Sequence, residues 1–188
     1  MFNILLDKLP NEYDGYLIRT DFRIGMQIDM CLKDMELNED EKIGICLNLL
    51  YGRGCPQDID KALNGLSWFV NCGVDKLQEE QEEEGKQPIF DFDIDSGRIY
   101  SAFKKVYNID LSQEKIHWFK FVAMLGDVGE CAFTNVINYR TADLTNMTGK
   151  MRDTYAKMKR KFALPDLFND EEKEKIAEFC SKIGVEEK

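Results

Sequence analysis

The stretch IHWFKFVAML, residues 116–125, carries the only histidine of the chain and one of its two tryptophans. Trp118, Phe121, Val122 and Leu125 fall at i, i+3, i+4 and i+7, and Ile116, Phe119 and Ala123 cover the adjoining sector. That spacing predicts a helix that buries more than half of its circumference. Ser112 is placed to cap it, and His117 falls on the remaining polar side, beside Gln113 and Lys120. Histidine catalysis needs a nucleophile or acid within hydrogen-bond reach and an orienting partner. The chain has no G-x-S-x-G, no H-E-x-x-H and no phosphate-cradling glycine loop. The histidine therefore reads as a bystander on a core helix.

Toward the N-terminus, Ile99, Phe103 and Val106 form another helical stripe, with Ser96 as its expected N-cap. Before it, FDFDIDSG at 90–97 alternates Asp91, Asp93 and Asp95 with apolar residues, which would put three carboxylates on one side of an extended segment. A calcium loop counted from Asp91 would need Gly at its sixth position and Glu at its twelfth. This chain has Ser96 and Ala102 there, so no metal site is read. Residues 75–88 are acidic, with five glutamates among positions 79–84. They read as a solvated linker or exposed helical extension, or as an acidic partner-binding loop.

Three helices are expected in the first half. Ile24, Ile28, Cys31 and Met35 mark one stripe, and Ile43, Cys46, Leu47 and Leu50 a second, introduced by an Asn38/Glu41 capping box. YGRGCP at 51–56 ends the second, and a third from about Gln57 presents Ala62, Leu66 and Phe69. Ahead of them, Asp14-Gly15 between tyrosine-rich flanks predicts a short β-hairpin. Past the opening stretch, residues 130–138 read as a helix, followed by a longer one with Met151, Tyr155, Met158 and Phe162 on its stripe. LPD at 164–166 stops it, and a last helix has Asn169 and Glu172 in capping-box spacing and Gly184 at its end. The fold class is mainly α, a helical domain of about seven helices with a short N-terminal β-hairpin. One domain spans 1–188, with subregions 1–73 and 90–188 joined by the acidic segment 74–89.

The formal net charge is −10 and the pI about 4.7. That balance repels phosphate backbones and argues against general nucleic-acid binding. No apolar run approaches the roughly 18 residues of a membrane span. The N-terminal MFNILLDKLPNEYDG lacks the basic region of a signal peptide, so a cytosolic location is expected. The six cysteines include no C-x-x-C pair and read as free thiols, with neither metal nor disulfide. The helix around 150–161 carries six cations, Lys150, Arg152, Lys157, Lys159, Arg160 and Lys161, against Asp153 alone. It is open to three readings: an ion-paired or solvated face that pairs with the glutamate run of its own or a neighbouring subunit, a surface for an acidic protein, or a nucleic-acid surface.

LLDKLPNEYDGYLIRTDFR at 5–23, LLYG at 49–52 followed by Pro56, YNIDLSQEKIHWFKFVAML at 107–125, INYR at 137–140 and KMKRKFALPD at 157–166 occur in that order. Together they resemble the gene-product-fifteen family of siphophages and their prophages, over roughly residues 4–168. The resemblance implies a tail-module protein encoded just upstream of the tape-measure gene, the position of tail assembly chaperones. Such a protein is expected to be non-catalytic and without cofactor, and to act in the host bacterial cytoplasm. It would bind the tape-measure protein and assist tail-tube assembly; a structural minor tail or connector protein retained in the virion is the alternative. The expected partners are the tape-measure and tail-tube proteins, with self-association open, and neither nucleic acid nor membrane. On the motif match, the candidate interaction residues are Tyr139, Arg140, Arg152, Tyr155, Lys159 and Arg160. Tyr155 also falls on the apolar stripe, and Arg140 could serve as a helix C-terminal cation satisfying carbonyls.

Overall fold

Trp118 opens a helix whose rings are the centre of the core. The computed structural model describes residues 2–74 and 88–165. Among them lie a two-stranded antiparallel hairpin, β1 (Glu12–Tyr13) and β2 (Tyr16–Leu17), and seven α-helices. These are α1 (Phe22–Lys33), α2 (Glu39–Tyr51), α3 (Ile59–Val70), α4 (Ser96–Tyr107), α5 (Trp118–Gly126), α6 (Ala132–Thr141) and α7 (Gly149–Phe162). The fold is mainly α, as the periodicity predicts. The expected helix beyond Asn169 and the glutamate run lie outside the described residues.

Local chemistry sets the helix starts. Asn38 and Glu41 form the expected capping box, each satisfying the other's backbone N–H at 3.0 Å. Asp58 caps α3 and Asp21 caps α1 through side-chain oxygens. Asp14 and Gly15 both take positive φ in the hairpin turn, which suits Asp-Gly.

One contiguous core draws on both sides of residues 75–87. Phe121 is its hub, stacked on Phe22 at 4.7 Å, on Phe103 at 5.0 Å and on Trp118 at 5.9 Å. Trp118 lies flat on α1 at Gly25, where a Cβ would come within 2.2 Å of the indole ring. Only glycine lets the two helices approach so closely there.

The stretch before α5 departs from its expected form. Residues 112–117 are not helical, and Ser112 belongs to a turn in which Asp110 accepts its hydroxyl at 2.6 Å. The residue that caps α5 is His117, whose Nδ1 accepts the Phe119 N–H at 3.1 Å. An isolated antiparallel bridge between Asp21 and His117 explains the late start. The Phe22 N–H donates to the Ile116 carbonyl at 2.8 Å, and the Trp118 N–H to that of Thr20 at 2.7 Å. The backbone of 116–118 is thus spent on tying the starts of α1 and α5 together.

Residues 92–95 also differ from expectation. They fold into a turn rather than an extended run, so the three aspartates diverge. Asp91 accepts the N–H groups of Asp93 and Ile94, Asp93 faces solvent, and Asp95 is fully buried. Asp95, not Ser96, takes the N-cap position of α4. On α4 itself Ala102 takes the buried place expected of Val106, which is exposed.

Candidate interaction surfaces

A concave feature among the described residues runs between α1 and α4. Its volume is about 410 Å³, within the roughly 300–1,000 Å³ typical of binding clefts. Buried Phe22, Ile99, Leu111 and Phe121 make the floor, and Met26, Met30 and Tyr100 the walls. Met30 and Tyr100 each keep 39% of their surface exposed, so the walls are accessible. Methionine walls can repack around differing apolar side chains. The polar groups at the margin are Arg23, Gln27, Ser96 and Ser112.

Arg23 fixes one end of this groove. Its guanidinium donates to the carbonyls of Leu111 at 2.5 Å and Glu114 at 3.2 Å while pairing with Asp21 at 3.1 Å. It thereby straps the 111–114 turn to α1, over the Phe22 ring at 4.5 Å. With its guanidinium committed to Leu111, Glu114 and Asp21, Arg23 acts as a girder rather than as a ligand-seeking cation.

The candidate residues from the motif match divide into two groups. Tyr139, Arg140, Tyr155 and Lys159 hold α7 onto α6. Tyr139 packs edge-on to Tyr155 at 5.5 Å and stacks on Phe162 at 5.9 Å. Arg140 makes a two-pronged pair with buried Asp95, at 2.5 and 3.1 Å. Its Nε–H donates to the Phe162 carbonyl at 2.6 Å, satisfying an orphan carbonyl of α7 rather than of its own helix. Its Nη1 also reaches the Ile89 carbonyl at 3.2 Å. Lys159 donates to the Ala142 carbonyl at 2.9 Å. Arg140 is therefore a joint between α4, α6, α7 and the segment at Ile89, with its side chain only 7% exposed.

Arg152 and Arg160 form the second group and are exposed, as are Lys150, Lys157 and Lys161. No residue of α7 is fully buried. Among the described residues no ion pair involves a cation of α7.

Chemistry-bearing groups are held in structural roles. His117 donates from Nε2 to the Pro10 carbonyl at 2.8 Å while Nδ1 accepts, which defines a neutral tautomer. Burial pushes its pKa below the ordinary 6.5, against the Pro10 hydrogen bond that favours the proton. The folded state thus binds the proton less well than the unfolded chain. Stability from this residue is full above pH 6.5 and declines as pH falls below it. His117→Asn, which keeps an N-cap, should remove that decline; urea midpoints of both proteins across the window would check it. The Cys46 thiol is pushed up to about 12 by burial and neighbouring Cys31, and that of Cys72 to about 11 by burial. Both are protonated and unreactive at neutral pH. Among the described residues no group of three or more His, Cys, Asp or Glu converges as a metal site, and no helix is long and apolar enough to cross a membrane.

The fold is mainly helical, and the comparisons add a phage family. The family described as Bacteriophage Gp15 protein matches residues 5–164, and the chain belongs to that family. No curated protein and no solved structure matches it.

Proposed function

We propose that this protein is a phage tail assembly chaperone: it binds the tape-measure protein through the α1–α4 groove and assists tail-tube assembly without catalysis. The groove carries the proposal. A tape measure is a long, largely helical rod, and an amphipathic helix recognises its partner by laying apolar side chains into such a cleft. The Met26 and Met30 walls accept varied apolar side chains, which a protein that coats a long client requires. Several copies along one tape measure add avidity while each contact stays reversible, so that the polymerising tube can displace them. Family membership supports the phage setting, and the work would be done in the host bacterial cytoplasm.

Met30→Glu places a carboxylate in the groove at a site exposed enough to tolerate it. It should weaken capture of the tape-measure protein by roughly tenfold or more, as for loss of a buried apolar anchor, with the thermal unfolding midpoint nearly unchanged. Mass spectrometry of purified virions should find the tube and tape measure and miss this protein. Its presence in stoichiometric amount would instead make it a retained minor tail or connector component.

A further inference from the structure

We infer that the protein associates with a second copy of itself by seating the cationic face of α7 on the acidic corner where α1 ends and α2 begins. None of the residues involved lines the groove, so the inference does not depend on the partner held there.

Both surfaces are built from described, exposed residues. Residues 34–41 carry five carboxylates, Asp34, Glu36, Glu39, Asp40 and Glu41, and no cation. All five are exposed. On α7, Lys150, Lys157 and Lys161 fall at i, i+7 and i+11, with Arg160 beside them, and all four are exposed. That line of charge is about 16 Å long at the rise of an α-helix. Among the described residues neither α7's cations nor Glu36 and Asp40 enter an ion pair.

Several of these charges run against the helices that bear them. Glu39, Asp40 and Glu41 in the first turn of α2, and Lys159, Arg160 and Lys161 in the last turn of α7, suit their own helix dipoles. Lys150 and Arg152 do not: they stand at the positive end of α7, where its first turn holds no acid. Asp34 stands at the negative end of α1, as its C-cap. Each surface also exposes a large apolar side chain among its charges, Met35 at 44% and Met151 at 57%. A second copy supplies the opposite charge and the apolar contact to each surface at once. Because the whole molecule carries −10, two copies repel on average, and among the described residues this pairing sets opposite charges face to face.

Sedimentation velocity on the full chain over a concentration series tests this, with two charge-reversed proteins, Lys150→Glu/Lys157→Glu and Glu36→Lys/Asp40→Lys. Wild type should associate with rising concentration, and each variant alone should associate roughly tenfold more weakly. An equal mixture of the two variants should associate again, because the reversed α7 of one meets the reversed corner of the other. Circular dichroism confirms that each variant keeps its helices. A monomeric wild type, variants that associate as wild type does, or a mixture no better than its components would overturn the inference. So would a reversed α7 that changes only the nucleic acid copurifying with the protein, which would give that face to a polyanion.

Discussion

Arg140→Ala should destabilise the protein by about 3–5 kcal/mol, the usual cost of removing one partner of a buried ion pair. Asp95 is fully buried and holds Arg140 by two contacts, with Arg98 at 2.8 Å and the Asp91 N–H at 3.2 Å completing its shell. Removing the guanidinium also orphans the carbonyls of Phe162 and Ile89 that it satisfies. Arg140→Lys should recover little, because an ammonium cannot reproduce the planar fork and the Nε–H contact together. The double replacement Asp95→Asn/Arg140→Ala should be milder than the sum of the singles, since the pair acts as a unit. Urea denaturation of the four proteins measures all of this, and a loss under about 1 kcal/mol for Arg140→Ala would class the pair with ordinary surface bridges. Burial alone would raise the Asp95 carboxyl. The hydrogen bonds and charge of Arg140, the Asp91 N–H and the Arg98 charge outweigh it and hold the pKa below the ordinary 3.8. A depressed carboxylate stabilises the fold above its unfolded value and loses that contribution as pH falls through its folded value. The joint should therefore persist down to pH 3.8 and fail only below it.

Phe121→Ala should cost about as much, 3–5 kcal/mol for a buried aromatic. Its ring touches Phe22 of α1, Phe103 of α4 and Trp118 of its own helix, so one truncation loosens three elements. It also removes the floor of the groove. Near-ultraviolet circular dichroism should lose most of its aromatic signal before helical content falls. A shift in unfolding midpoint equivalent to less than about 1 kcal/mol would mean the ring is not the hub its contacts describe.

The helices were legible because each core-facing stripe repeats with the helical period. Ala62, Leu66 and Phe69, or Cys46, Leu47 and Leu50, announce a buried face without knowledge of what covers it. The start of α5 was not legible, because the bridge between Asp21 and His117 joins residues far apart in the chain. Ser112 offered a capping side chain in good local spacing, and a tertiary contact overrode it. The turn at 92–95 hid for a related reason. Its alternation imitates a strand, and the two-pronged contact that meets buried Asp95 comes from Arg140, in another helix. The groove had no sequence signature either. Met26, Met30 and Tyr100 look like ordinary side-face residues until α1 and α4 lie side by side. Arg140 is singled out by its motif, and a lone arginine near a helix end carries no sign that its side chain meets a buried aspartate.

The central claim is that the groove holds an aggregation-prone helical client. Co-expression with a tape-measure protein of the same phage, followed by size exclusion with multi-angle light scattering, tests this most directly. A soluble complex with several copies of this protein per tape measure, lost with Met30→Glu, is the predicted result. A tape measure that precipitates beside the free protein would contradict it.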